Sequence, residues 1–411
     1  VLAPERRTRA DILIAITIAV TVLVAAIVVW ARADATGTDS VVAAQAAPAV
    51  AAATALPTAL RERWHVPDGA SSRALTGGNL VITADNGTVS GRDPISGEQR
   101  WWYRRDMPLC GVEAQYSMVI ATYRDKRGCS QTTMLSADTG QRYTARSSYM
   151  DDTIRLTGDG TYLLALGHDR LEVWRSDLVR TLEYGYVDAP VNPNTQPRKG
   201  CALLSAASSS ARLSVLERCP QDAGARLTVL NPAPKDATTP EQYGSHVLTL
   251  PGSDSPEARV MAVSDNKTGV YLPPTPDTAT APGLPARLAV FDGTGNELAT
   301  YPLSAPFTDK GVGIRIGSTP YLFTGNQLLA LNSQTLQPVW AISDALGTPA
   351  MMAGKLLLPT PDTLTLIDPT TGTPLSQLGI ARTDYHGEPI SLAVIGNTIL
   401  EHRTGQLFAL T

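Results

Sequence analysis

The sequence predicts an all-β protein: an eight-bladed β-propeller preceded by one transmembrane helix, with seven blades as the alternative count. Three observations predict it. A turn grammar of Asp or Asn, two or three residues and then Gly recurs between short apolar runs. The hairpins containing it return about every 45 residues, a propeller-like period. The last unit breaks off before its outer strand, and the first strand after the amino-terminal region fits the vacancy.

The turns come first. "RDPISGEQRWW" (Arg92–Trp102), "SADTGQRYTA" (Ser136–Ala145), "FDGTGNELATY" (Phe291–Tyr301) and "IDPTTGTPLSQL" (Ile367–Leu378) share the grammar. "LNSQTLQPVW" (Leu331–Trp340) keeps the spacing without Gly, and "VWRSDLVRTL" (Val173–Leu182) is more degenerate. An Asp or Asn side chain accepts backbone N–H bonds at the head of a tight turn, and Gly takes the positive φ that closes it. Asp93 and Gly97, Asp138 and Gly140, Asp292 and Gly295, and Asp368 and Gly372 are therefore read as structural turn residues.

A second hairpin lies upstream of each turn, bent at Asn86-Gly87, Gly167 to Asp169, Gly325-Asn326, Pro361-Asp362 and Thr404-Gly405. Second strands are expected to start near Leu80, Met118, Tyr162, Ala202, Val260, Thr319, Lys355 and Thr398, with the third and fourth units poorly marked. The terminal run "GQLFALT" contains Leu407 and Leu410, and "ALRERWHVPDG" places Trp64 in the phase of Trp102 and Trp340. Pairing these two ends would close the ring and leave no exposed edge there. A stack of β-sandwiches would not require an interrupted terminal unit.

Residues 12–30 form an uncharged apolar run of 19 residues, long enough at ~1.5 Å per residue to cross a bilayer core. Arg6, Arg7 and Arg9 precede it and place residues 1–11 in the cytoplasm by the positive-inside rule. A cleaved signal peptide is the alternative, with small residues in "ARADA", but its apolar core is ordinarily shorter. Residues 31–59, rich in Ala, Pro and Thr, read as a disordered tether reaching ~30 Å on average and ~100 Å at most. The propeller is expected over residues 60–411, outside the cytoplasm. The net charge of −4 and the absence of a long basic run beyond the amino terminus argue against nucleic acid as a partner.

Cys110, Cys129, Cys201 and Cys219 allow three connectivities. Cys110–Cys129 and Cys201–Cys219 are preferred, each flanking one expected hairpin, and an oxidising compartment agrees with the helix topology. No C-x-x-C occurs and the five histidines are scattered, so no metal site is assigned. "ADTGQ" (Ala137–Gln141) matches an aspartic-protease triplet, but the repeat accounts for it as a turn. "GDGT" (Gly158–Thr161) and "SDNKTG" (Ser264–Gly269) lack the acidic ligands of a calcium loop. The polar segments Pro232–Ser245 and Pro273–Arg287 read as candidate contact loops projecting from one face.

The strand ending in Asp, then x-x-[Ser/Thr]-Gly and a following aromatic, resembles the PQQ-like repeat of quinoprotein-type propellers over residues 60–411. The dehydrogenases of that family hold pyrroloquinoline quinone and calcium, and many carry adjacent cysteines, which this chain lacks. The resemblance therefore implies the cofactor-less branch, whose members are scaffolds. The Ala/Val-rich, Arg-over-Lys composition and the initial Val suggest an actinobacterial envelope protein. The expectation is a scaffold in the cell membrane that binds envelope or membrane proteins, with no catalysis and no cofactor. The alternatives are a quinone-dependent or other redox enzyme using the funnel, and a binder or sensor of a small envelope ligand.

Overall fold

The computed structural model describes residues 8–31, 36–188, 190–277, 282–383 and 385–411. One helix, Arg9–Ala31, is long and apolar enough to cross a membrane. Its start is capped by Thr8, whose backbone N–H and hydroxyl both donate to Asp11. Most of the expected cytoplasmic tail, residues 1–7, lies outside the described residues.

Among the described residues eight sheets follow, each with four antiparallel blade strands from axis to rim, in chain order except in blade 8; a short strand, Gly347–Thr348, adds in parallel to the inner edge of blade 8. Blade 1 is Leu75–Gly77, Leu80–Asp85, Thr88–Arg92 and Gln99–Arg105; blade 2 is Leu109–Gln115, Met118–Asp125, Gly128–Ser136 and Arg142–Ser147. Blade 3 is Arg155–Gly158, Leu163–Leu166, Arg170–Trp174 and Arg180–Gly185; blade 4 is Ala202–Ser208, Leu213–Arg218, Arg226–Leu230 and Gln242–Val247. Blade 5 is Arg259–Ser264, Lys267–Leu272, Arg287–Phe291 and Glu297–Pro302; blade 6 is Val312–Ile316, Thr319–Phe323, Gln327–Leu331 and Pro338–Ser343. Blade 7 is Ala350–Met352, Lys355–Thr360, Thr363–Ile367 and Pro374–Gly379; blade 8 is Ile390–Ile395, Thr398–Arg403, Gln406–Leu410 and, from the other end of the chain, Glu62–Pro67.

The burial pattern explains the composition of these runs. Second and third strands are covered on both faces, so they read as continuous apolar stretches, such as the nearly buried Leu80–Asp85. Outer strands alternate, as Glu297–Pro302 does. Eight apolar clusters fill the gaps between consecutive blades, from Trp101 and Tyr123 between blades 1 and 2 round to Val81 and Leu407 between blades 8 and 1. Eight interfaces settle the blade count against seven.

The ring closes by pairing Glu62–Pro67 with Gln406–Leu410, with Trp64 opposite Ala409, Val66 opposite Leu407 and Glu62 opposite Leu410. Arg61 and Thr411 exchange backbone bonds of 2.9 and 3.0 Å beyond the last pair. Leu407 is fully buried and Leu410 nearly so.

Four expectations need correction. In blades 4 and 5 the second strands begin at Leu213 and Lys267; Ala202 and Val260 belong to the inner strands. Long apolar runs on both strands hide which comes first. Trp101, not Trp102, shares the phase of Trp64 and Trp340, because a one-residue shift turns a side chain to the other face. Asp138 is not the head of its turn: Gly140 N–H donates to the Ser136 carbonyl, making Ser136 the head. Asp138 instead accepts the Asn79 N–H of blade 1 at 2.7 Å.

The fourth correction concerns residues 31–59. Residues 32–35 lie outside the described residues, but from 36 onward the segment is fastened to the ring. Thr38–Val41 pairs antiparallel with Gln99–Arg105 as a fifth strand on the rim of blade 1. Ala43 N–H donates to the Thr139 carbonyl at 2.9 Å. Ala47 is buried between blades 1 and 2. Val50 N–H donates to Asn79 Oδ1 at 3.0 Å. Ala53, Leu56 and Leu60 then pack on the cluster between blades 7 and 8. Small, apolar residues that read as low-complexity linker serve here as a thin strap across the sheets.

Both expected cystines are present, Cys110–Cys129 and Cys201–Cys219. The second flanks the first hairpin of blade 4, as expected. The first joins the inner strand of blade 2 to its third strand, across the second. Each closes a loop of 19 or 18 residues, contributing ~3 kcal/mol in the chain-entropy model.

The closing joint holds a buried carboxylate. Asp68, fully buried, accepts the Ser71 hydroxyl and the Ala84 N–H through Oδ1, while Oδ2 has no hydrogen-bond partner. His402 Nε2 lies 3.7 Å from Oδ2. Burial pushes the Asp68 carboxyl up to about 7, with Asp85 adding to the rise and Arg92 opposing it. Burial pushes the His402 imidazole down. Unfolded, an Asp titrates near ~3.9. Between that value and about 7 the native state keeps a proton that the unfolded chain has lost, so Asp68 makes stability fall as pH rises through this window. His402 acts oppositely, costing stability as pH falls below its ordinary ~6.5. Asp68→Asn is expected to gain up to about 4 kcal/mol on wild type near pH 8 relative to near pH 4. Urea midpoints of both proteins at the two pH values check this; an equal offset at both would exclude it.

Candidate interaction surfaces

The repeat turns build the joints between blades. Asp93 Oδ1 accepts the N–H groups of Ile95 and Ser96, each at 2.9 Å, and Gly97 closes the turn at φ 73°. Gly97 lies on the indole of Trp64 from blade 8, whose Nε1–H donates to the Pro94 carbonyl at 3.3 Å. The same joint recurs twice. Trp101 of blade 1 lies under Gly140 of blade 2 and donates to the Ala137 carbonyl at 2.8 Å. Trp340 of blade 6 lies under Gly372 of blade 7 and donates to the Pro369 carbonyl at 3.2 Å. In each case a Cβ on the glycine would strike the ring at 2.6–2.7 Å, so both the glycine and its positive φ are required. Between blades 4 and 5, His246 takes the tryptophan's place beneath Gly295, and Asp292 heads that turn. Asp368 heads the turn of blade 7 and pairs with Lys355 at 3.2 Å.

In blades 3 and 6, Leu178 and Leu336 stand at φ 62° and 59° where the turns of blades 1, 2, 5 and 7 have Gly. Between blades 2 and 3, charge joins the sheets. Arg146 of blade 2 crosses to fully buried Glu172 of blade 3 at 3.1 Å and lies over Trp174. Glu172 also meets Arg170 at 2.7 Å, Arg180 at 3.3 Å and Trp174 Nε1–H at 2.8 Å. Burial alone would raise its carboxyl, but Arg146, Arg170 and Arg180 outweigh burial and hold it below the ordinary carboxylate range. A second cluster joins blades 3 and 4, where Tyr184 of blade 3 and Arg198 of the connection donate to buried Glu217 of blade 4. Burial raises the Glu217 carboxyl. Sequence reasoning missed this network; its only signal was the four charged residues in Arg170–Trp174 and Arg180–Gly185.

Alternating strand direction sorts the connections onto two faces. One carries the turns within the inner and outer hairpins; here it is called the turn face. The strap of residues 43–60 lies across it, over blades 2, 1, 8 and 7. The other, the loop face, carries the blade-to-blade connections. At its axis stand the starts of the inner strands. Arg73 pairs with Glu113, exposed Arg155 opens blade 3, Arg259 donates to the Thr308 carbonyl at 2.7 Å, and Lys310 donates to the Gly387 carbonyl at 2.7 Å. The two loops expected on one face divide between them. Residues 231–241 leave the turn face and fold against the rim of blade 3 through Glu183 N–H and the Ala237 carbonyl, while the described parts of the second loop, residues 273–277 and 282–286, belong to the loop face. Gln242–Val247 is the outer strand of blade 4, not loop. Asp159 and Asp265 sit in turns of blades 3 and 5, the former capping Thr161 and Tyr162 N–H at 2.6 Å. Among the described residues no three His, Cys, Asp or Glu side chains converge as a metal site would need.

These features define a closed eight-bladed β-propeller with its amino-terminal segment strapped across one face. No protein-family model and no curated protein matches the chain. It is similar to the computationally designed Ika8 protein, at 14% identity and TM-score 0.54 over 84% of this chain and 96% of that one. It is also similar to the C-terminal WD40 domain of Sif2, at 10% identity and TM-score 0.50 over 86% and 97%. BamB from Moraxella catarrhalis aligns at 15% identity and TM-score 0.49 over 86% and 98%. At such identities the likeness to Ika8 and Sif2 speaks to the fold alone.

Proposed function

We propose that this protein is a membrane-anchored scaffold of the cell envelope, with no catalysis and no cofactor of its own. In this reading the helix Arg9–Ala31 spans the membrane with its arginine-flanked end in the cytoplasm, and the propeller stands outside, where its cystines persist. The chain then belongs to the cofactor-less branch of the PQQ-like propellers in an actinobacterial envelope, with envelope or membrane proteins as partners. The observation that carries it is the asymmetry of the ring: the turn face is occupied by the strap, whereas the loop face presents long connections such as residues 248–258 and 303–311 on a rigid frame. Loops held on a rigid scaffold suit recognition of another protein. Crosslinking in intact cells with a photoreactive residue in loop 248–258, followed by mass spectrometry, is expected to recover the same envelope protein repeatedly. Capture from the strapped turn face instead, or no reproducible partner, would count against the reading.

A further inference from the structure

We propose that the rim of blade 1 docks on the anionic headgroups of the bilayer that Arg9–Ala31 crosses; the inference rests on the anchored reading above and makes it specific. The first argument is chain length. From Ala31, the last helical residue, to Thr38, the first residue of the rim strand, there are seven residue steps. These cover at most about 25 Å, whatever path they take. The anchor thus restrains one defined edge, the rim of blade 1, rather than a propeller on a long leash.

The second argument is the chemistry of that edge. Thr38–Val41 lies against Gln99–Arg105 with Asp39 opposite Arg104 and Val41 opposite Trp102. Opposed residues share a face. Trp101, Tyr103 and Arg105 are buried towards blade 2, so Arg100, Trp102 and Arg104 point to the open side with Val41. Arg100 and Arg104 are exposed, Trp102 is half-buried, and Val41 and its neighbour Val42 are 49% and 48% exposed. On the side turned to blade 2, exposed Arg142 lies beside Tyr103 and Arg105, and the neighbouring Tyr143 is exposed as well. The same edge carries the carboxylates of Asp39, opposite Arg104, and of exposed Asp106 beside them, while Asp93 acts on Arg100. The outer strands of blades 5, 6 and 7 expose Leu298, Val339 and Leu375 at the position of Arg100, without the tryptophan–arginine pairing. Tryptophan and tyrosine favour the headgroup region, and each arginine near an anionic surface contributes ~1 kcal/mol. An acidic protein could offer the charge but not the fixed proximity that the seven-residue connection imposes.

The test uses the full chain in vesicles of phosphatidylcholine, with or without one quarter phosphatidylglycerol, carrying bromine high on the acyl chains. Emission from Trp102 is isolated by difference from Trp102→Phe, and that from Trp30 by difference from Trp30→Phe. Trp30 lies at the helix end and reports insertion. Trp102 emission is expected to fall about two-fold in the anionic vesicles and to recover in Arg100→Glu/Arg104→Glu, with Trp30 quenched throughout. Quenched Trp30 with unquenched Trp102 would overturn the rim contact and leave the anchor standing. Unquenched Trp30 would overturn the anchored reading and the rim contact with it. Equal Trp102 quenching in both lipid mixtures would reject the electrostatic basis.

Discussion

Trp101→Ala is expected to lower the unfolding free energy by about 3–5 kcal/mol, the cost of removing a large buried aromatic. The indole is fully buried, and two glycines lie against it: Gly140 above the ring and Gly91 on the paired strand. Neither has a side chain that could collapse into the space, so the cavity persists. The Ala137 carbonyl also loses its donor at 2.8 Å, a further penalty for a buried acceptor. Trp101→Phe keeps most of the volume and should cost less, about 1–3 kcal/mol. Trp102→Ala, one residue on and half-buried, should cost under about 1 kcal/mol. Urea unfolding with the cystines intact separates the three. Equal losses for Trp101→Ala and Trp102→Ala would refute the register described for the blade 1–2 joint.

Glu172→Ala is expected to destabilise by a similar ~3–5 kcal/mol through a different mechanism, the stranding of buried cations. Arg146 would lose its carboxylate partner and keep the Leu178 carbonyl at 2.8 Å, and Arg170 and Arg180 would be left to share Glu183, with which Arg170 bonds at 3.0 Å. The Trp174 indole N–H and the Ser148 hydroxyl would lose acceptors too. Because the folded carboxyl lies below its ordinary range, Glu172 contributes stability above the unfolded value of ~4.3 that is lost as pH falls through the folded one. The gap between wild type and Glu172→Ala should therefore narrow in acid. A gap independent of pH down to acid unfolding would show that packing, not charge, sets the cost.

The two variants mark how far the sequence could be read. The joint at Trp101 was legible because it repeats: an Asp or Ser head, a Gly and an aromatic return at Trp64 and Trp340, and repetition exposes a local rule. Even so the phase was misread by one residue, since adjacent tryptophans look alike in one dimension and only the paired strand says which faces inward. Asp138 was misassigned similarly. Its triplet has the right composition, but Ser136 occupies the bond that heads the turn, and the aspartate serves the neighbouring blade. The network around Glu172 was not legible. Its members come from residues 146, 170, 172, 180 and 183 on two blades, and no periodicity links an arginine to a carboxylate on another sheet. The strap was misread outright, because alanine-rich composition resembles linker until a surface exists for it to lie on.

The sequence by itself determined the repeating sheets and their closure through Glu62–Pro67 and Gln406–Leu410. These follow from turn chemistry and alternation, which act over a few residues and leave a mark at each recurrence. Only the tertiary structure decided that a buried ion pair joins blades 2 and 3, that Glu217 of blade 4 takes Tyr184 of blade 3 and Arg198, that residues 43–60 are bound across the turn face, and that a short connection leads from the helix to the rim of blade 1. Those are contacts between segments distant in the chain. Their energy depends on burial and proximity, and neither exists until the ring has formed.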